Sequence, residues 1–345
     1  MAGSVNMRDV ARRAGVSPGT VSRVLSNRMG RTQVSESTRR KILDAVHELN
    51  YVPNINARRL FSNKSGVLAL VLPHFENPLR YIFEDQHLVR ILNGLERTVS
   101  AAGYRILLIF ADHNYLENKE YLKIFRSKQV DGIFIWGSYC RDNFYQELSE
   151  NGFPHVFITT RPDYYEDDSI YFHHDYTGAS YSVMRHLLEK GHRKIAWCAN
   201  SDDVTSLQRE LDLGIRRALR DAGLNWDDVI VPVRSNYLYS NGCQSAEKVY
   251  MRQLPVTALL LVSHDSTIGC YDYFMRHGIS VPGDYALACC DSLLHEESLI
   301  RVTRAACDDV RLGQLAAQRL LAILSGEEVS VVNRISTLFK AGETT

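Results

Sequence analysis

The spacing of apolar residues changes sharply along the 345-residue chain, and the change divides it. Up to about residue 50 they recur in three short sets: Val10, Ala11 and Ala14; Val21, Val24 and Leu25; Ile42, Leu43, Val46 and Leu49. Each set falls on one face of a helix. The spacing therefore predicts helices from about Asn6 to Ala14, from Pro18 to Ser26 and after a capping Ser35, packed around one small core. Gly15 can turn the chain between the first two helices, Ser17 can cap the second, and Pro18 suits its first position, where no backbone N–H is needed. Two helices joined in this way make a helix-turn-helix, with Pro18, Gly19, Ser22 and Arg23 left on the outer face.

Residues 51–65 read as a hinge and linker. Ala57 and Leu60 lie three apart on one potential helical face, but so short a segment does not hold a helix alone in water, so its folding should depend on a partner. From Val67 the rhythm becomes short apolar runs alternating with helical stretches. Strands are predicted at Val67 to Leu72, Arg105 to Phe110, Gly132 to Trp136 and His155 to Thr159. A second set is predicted at Lys194 to Cys198, Val229 to Val233, Ala258 to Val262 and Tyr285 to Cys289. Strand and helix in alternation imply an α/β body of two doubly wound parallel sheets, with a ligand cleft at the carboxyl ends of the strands. The expected layout is a helix-turn-helix domain at 1–50, the hinge at 51–65 and a core at 66–345. Within the core, one lobe would comprise about 66–161 and 292–324, and the other about 162–291 and 325–345.

Charge sharpens the division. The net charge is zero, yet residues 1–64 hold twelve Lys/Arg against four Asp/Glu, a net +8 that leaves −8 for the rest. Clustered cations on a helix-turn-helix suit phosphate neutralisation, whereas the body needs only solubility. No apolar stretch approaches the roughly 20 residues of a membrane span and the start shows no signal-peptide core, so the expected address is the cytoplasm, with no membrane partner. The seven cysteines lack metal-ligand spacing and read as reduced thiols. The pairs His173-His174 and Cys289-Cys290 do not suggest a metal site either, because neighbours on a strand point to opposite faces. There is no Gly-x-Gly-x-x-Gly, phosphate loop, Gly-x-Ser-x-Gly elbow or His-Glu-x-x-His helix, so neither enzymatic chemistry nor a cofactor is expected.

The stretch from Met7 to Leu25, with Val34-Ser-Glu-Ser-Thr-Arg39 and Tyr51-Val-Pro-Asn-Ile-Asn-Ala-Arg-Arg-Leu60 after it, resembles the amino-terminal signature of the lactose-repressor/galactose-repressor family. Gly103-Tyr104, Val130-Asp-Gly-Ile133, His174-Asp-Tyr-Thr-Gly-Ala179, Gly191-His-Arg-Lys-Ile195 and Val281-Pro-Gly-Asp284 resemble landmarks of its effector-binding core. The resemblance covers nearly the whole chain. It implies a two-lobed, periplasmic-binding-protein-like core and a homodimeric transcription regulator reading a roughly palindromic operator. It further implies that Pro18, Gly19 and Arg23 face bases. Ser17, Thr20, Ser22, Asn27, Ser35, Thr38, Tyr51 and Asn54 would touch phosphates or brace the module, and Ala57 and Leu60 would enter the minor groove from the hinge. Pro18 and Gly19 bring no side-chain donors, which leaves Arg23 as the side chain able to grip guanine. The long turn from Arg28 to Gln33 suggests an added DNA contact from Arg31.

The resemblance also implies a small-molecule effector between the lobes. Asp291 matches the family's pocket aspartate and suits paired hydroxyls. Phe75 and Asn77 would sit at the mouth, Trp136 (with Trp197) could stack on a sugar face, and Thr160, Arg161, Arg209 and His264 are further candidates. Departures are notable: His264 replaces an asparagine, Leu211 an arginine, Thr159-Thr160-Arg161 the usual Asp-Arg pair, and Asp309 an apolar residue. The expected function is repression of carbohydrate-metabolism genes under control of a sugar or sugar derivative. The alternative is a co-repressor-dependent or activating regulator answering to a non-sugar metabolite. A periplasmic-type binding protein and a sugar-modifying enzyme are the rival classes, disfavoured by the basic head and by the missing catalytic groups.

Overall fold

The computed structural model describes residues 5–25, 34–52, 64–73, 82–137, 144–163, 168–199, 206–294, 300–328 and 332–345. The chain divides into two compact units, Met1–Ser65 and Gly66–Thr345.

The first unit is three helices. Met7–Ala14 begins with a reciprocal cap: the Asn6 side chain accepts from the backbone of its first turn while the Asp9 carboxylate takes the Asn6 N–H. It ends at Gly15, whose φ of 70° only glycine adopts without penalty. Pro18–Leu25 follows with Ser17 as its cap, accepting from the Thr20 N–H at 3.2 Å. Glu36–Glu48 starts at Ser35 in the same manner. Val10, Ala11, Val21, Val24, Ile42, Ala45 and Tyr51 fill the core. Leu43, expected inside, is 46% exposed, and Ala45 takes the inward position instead. The expected hinge lies mostly outside the described residues.

The second unit holds two six-stranded sheets of the same order. In the first lobe β1 (Val67–Pro73), β2 (Arg105–Ala111), β3 (Gly132–Trp136), β4 (His155–Ile158) and β5 (Tyr171–His174) run parallel, ordered β2-β1-β3-β4-β5, with β11 (Arg334–Ile335) beside β5. In the second, β6 (Ile195–Ala199), β7 (Ile230–Arg234), β8 (Ala258–Ser263), β9 (Ala286–Leu293) and β10 (Thr303–Cys307) are ordered β7-β6-β8-β9-β10, with β12 (Leu338–Lys340) antiparallel at the edge. Alternate strand residues pack to opposite faces. Leu68, Leu70 and Leu72 meet the helices Gln86–Ala101 and Asp309–Ser325, while Ala69 and Val71 meet Glu120–Arg126.

The chain passes between the lobes three times: after His174, after Cys307 and after Ile335. The sequence-based lobe boundaries need correction accordingly. β5 keeps the first lobe going past residue 161, β10 belongs to the second sheet although it lies beyond residue 292, and β11 returns to the first. These short strands lack the long apolar runs that mark β1 or β8, because their hydrogen bonds and burial come from the sheet they join. Among the described residues no helix is long and apolar enough to cross a membrane. The six described cysteines are free thiols.

Gln86–Ala101 and Asp309–Ser325 approach so closely that a Cβ on Gly94 would stand 2.1 Å from the Val310 carbonyl oxygen, and one on Gly313 would stand 2.2 Å from that of Ile91. Gly94→Ala should therefore destabilise the core by about 1–3 kcal/mol in urea unfolding.

Candidate functional site

Two surfaces merit construction from their residues. On the small unit, the turn of the helix-turn-helix leaves Ser17, Pro18, Gly19 and Arg23 exposed, with Thr20 and Ser22 half-buried beside them. The Ser17 and Thr20 hydroxyls are 2.9 Å apart, and Arg23 is folded back so that its Nε meets the Gly19 carbonyl oxygen at 3.4 Å. Ser35 and Thr38 hydroxyls share a 2.8 Å contact at the start of the third helix. Tyr51 is only 7% exposed and packs into the module core, so its ring braces rather than reaches outward. Asn27, Arg31, Asn54, Ala57 and Leu60 lie outside the described residues.

In the large unit, chemistry concentrates where the strand ends of the two lobes meet. Asp291, near the end of β9, pairs in register with none other than its lobe's own Ser263 at the end of β8, and His264 follows as the first residue of the next helix. That helix is capped by Ser263. Asp309 opens the helix Asp309–Ser325 at the second inter-lobe passage and is 2% exposed. Its Oδ2 lies 2.9 Å from His87 Nδ1 and its Oδ1 lies 3.1 Å from His174 Nε2. The other nitrogen of His87, Nε2, lies 3.7 Å from Asp291 Oδ1 across the lobes, and that same oxygen accepts the Cys307 thiol at 3.1 Å.

The electrostatics follow from the geometry. Burial alone would raise Asp309, but the two histidines outweigh it and hold the carboxyl at about 2. Burial would lower His87, yet Asp291 and Asp309 carry it well above the usual histidine value. Asp291 is pushed up by burial, with His87 opposing, and burial likewise pushes up the neighbouring Cys307 thiol and the Tyr176 hydroxyl. Among the described residues no group of His, Cys, Asp and Glu has the arrangement to hold a metal ion.

The other candidates distribute unevenly. Trp136, at the end of β3, is buried with the first-lobe core, and its indole N–H has no hydrogen-bond partner; the Thr160 hydroxyl just past β4 is buried in the same condition. Trp197 donates instead to Asp212 Oδ1 at 2.9 Å. The Arg161 guanidinium lies over the Tyr171 ring at 4.9 Å, and its backbone N–H reaches Ser206 Oγ of the second lobe at 3.4 Å. Arg209 forms a cross-lobe ion pair with Asp163, and Leu211 points into the second-lobe core. Phe75 and Asn77 lie outside the described residues. Sequence reasoning missed His87 and His174 as site residues. The only signal available was Asp309, a carboxylate at an apolar position, which demands a cationic partner somewhere in the fold.

Comparison with known proteins agrees with this architecture. Residues 6–54 match the family described as bacterial regulatory proteins, lacI family, and residues 184–345 match the periplasmic binding protein-like domain. Catabolite control protein A of Priestia megaterium is 28% identical over 281 residues, 81% of this chain and 80% of that protein. A transcriptional regulator CelR–cellobiose complex is 25% identical with a TM-score of 0.68, covering 99% of this chain and 100% of that one. A lac repressor dimer bound to operator and the anti-inducer ONPF shares the fold, at 20% identity and a TM-score of 0.80 over 99% of both chains. The chain carries a lacI-family helix-turn-helix module followed by a two-lobed, periplasmic-binding-protein-like body, and its homologues are lacI-family regulators.

A carboxyl held low in the folded state stabilises it above the unfolded carboxyl value, near 3.9, and loses that contribution as pH falls through the folded one. The stability difference between wild type and Asp309→Asn, measured by denaturant unfolding, should therefore shrink by about 2 kcal/mol between pH 5 and pH 2. A difference that stays constant over this range would contradict the assignment.

Proposed function

We propose that the protein is a non-enzymatic, cytoplasmic repressor of carbohydrate-metabolism genes. It binds a roughly palindromic operator as a homodimer and is controlled by a sugar or sugar derivative held between its lobes. The observation that carries this is the union, in one chain, of an outward helix-turn-helix face with a cleft whose strand ends present buried hydrogen-bonding groups: Asp291, Trp136 Nε1 and Thr160 Oγ1. Indole and hydroxyl donors at the strand ends of one lobe and a carboxylate acceptor at those of the other match the alternating donors and acceptors of a polyhydroxyl ligand. The related CelR is known as a cellobiose complex, which supports the sugar class.

In this mechanism Arg23 reads guanine, and Ser17, Thr20, Ser22, Ser35 and Thr38 contact or brace against phosphate; Pro18 and Gly19 admit close approach to the groove floor. Asn27, Arg31, Asn54, Ala57 and Leu60 would extend the contacts, with Leu60 as the apolar wedge in the minor groove. Phe75, Asn77, Arg161, Arg209 and His264 would border the ligand. Arg209 would do so only by exchanging its Asp163 pair, which makes it the weakest of these. Ligand binding that favours one lobe arrangement shifts operator affinity by linkage, to the extent that the two arrangements differ in affinity for the ligand.

The test is a mobility shift on DNA upstream of the chain's own gene. Wild type should bind with a steep salt dependence, and Arg23→Ala should lose about 10-fold or more in affinity, ~1–3 kcal/mol, with relaxed discrimination at one position of each half-site. Equal affinities for wild type and Arg23→Ala would remove Arg23 from the recognition surface. Binding that ignores sequence would remove the operator function itself.

A further inference from the structure

We propose that His87 is a protonatable link between the two lobes: as an imidazolium it ties Asp309 of its own lobe to Asp291 of the other, so that the coupling between lobes is strong in acid and is lost in base. This goes beyond operator and effector binding and requires neither.

The geometry leaves little choice of proton count. The two ring nitrogens face two carboxylates, Nδ1 at 2.9 Å from Asp309 Oδ2 and Nε2 at 3.7 Å from Asp291 Oδ1. A neutral imidazole has one N–H, so it could donate to one carboxylate while turning a lone pair toward the other; with both carboxyls ionised, only the doubly protonated ring suits both. Removing the proton would also leave Asp291 and Asp309 facing each other with less compensation. His174 cannot replace His87, because its Nε2 is already engaged by Asp309 Oδ1. Its Nδ1, which has no partner, takes no part in the cross-lobe contact.

The groups facing His87 are few and come from four elements. Asp85, the cap of its own helix, and Asp309 belong to the first lobe; Asp291 on β9 and the Cys307 thiol on β10 belong to the second. Tyr176 stands behind Asp291. Among the described residues, Asp291, Asp309 and Asp85 act on the ring, and they favour its charged form. His87 also acts as a positioning residue for Asp291. The Cys307 thiol and the His87 ring both address Oδ1, so a ligand hydroxyl would meet a carboxylate whose orientation is already set.

The sign is definite. A histidine whose folded value is raised contributes stability fully below its unfolded value, near 6.5, and loses that contribution as pH rises through the folded value. The experiment is a 13C NMR titration of the full chain carrying 13Cε1-histidine, with His87 assigned by its disappearance in His87→Gln. The His87 midpoint should lie above 6.5. In Asp291→Asn it should fall by about one pH unit or more, a tenfold weaker hold on the proton. A midpoint at or below 6.5, or one unchanged by Asp291→Asn, overturns the proposal. Should Asp291→Asn not fold, unfolding of wild type and His87→Gln decides it. Wild type should lose stability relative to the variant as pH rises above 6.5, and parallel pH profiles overturn the proposal. Neither measurement involves DNA or effector, so failure of the regulatory reading leaves both outcomes interpretable.

Discussion

A carboxylate buried at the start of the helix Asp309–Ser325 constrains the rest of this body. An unpaired charge at 2% exposure would cost several kcal/mol, so Asp309 is tolerable only where hydrogen-bonding partners converge on both of its oxygens. His174 Nε2 meets one from the end of β5 and His87 Nδ1 the other from the first turn of Gln86–Ala101. Those elements lie at or beside two of the three inter-lobe passages. Satisfying one charge therefore fixes how the first lobe presents itself to the second. The remaining nitrogen of His87 carries the constraint across to Asp291.

The repeated topology explains why so local a device can have a distant effect. Each lobe is a mainly parallel sheet with helices on both faces, and close-packed layers of this kind transmit displacement rather than absorb it. Freedom is then concentrated in the short passages after His174, Cys307 and Ile335 and in the side chains that bridge the lobes. Those bridges are polar: His87 to Asp291, Asp163 to Arg209, His173 to Glu210, and Ser206 to the Arg161 backbone. Polar contacts can be exchanged for ligand hydroxyls at small net cost, whereas an apolar inter-lobe seam would have no such alternative.

Most of the fold was legible because its determinants are local. Val10, Val21 and Ile42 repeat at helical spacing, and β1, β3, β8 and β9 are continuous apolar runs as fully buried parallel strands require. The exceptions share a cause. Leu43 is exposed because the packed face of the third helix runs through Ile42, Ala45, Val46 and Leu49, and β5 and β10 exist through neighbours rather than through propensity. The site was legible in part. Asp291 and Asp309 stood out by type and position, but their partners are separated from them by distances in sequence that no periodicity spans: His87 and Asp309 are 222 residues apart, and His174 and Asp309 are 135 apart. The pairing of Arg209 with Asp163, which takes a candidate ligand group into an inter-lobe bridge, was hidden for the same reason.

The central claim is that a sequence-reading head and a ligand-holding body form one regulator, and selection of DNA from a randomised duplex pool by the full-length chain tests it most directly. The expected result is enrichment of one roughly two-fold symmetric sequence whose half-sites are spaced for a dimer, with retention that a bound small molecule alters. A pool that stays random through successive rounds, or that yields only a single asymmetric half-site indifferent to every ligand the cleft binds, would contradict it.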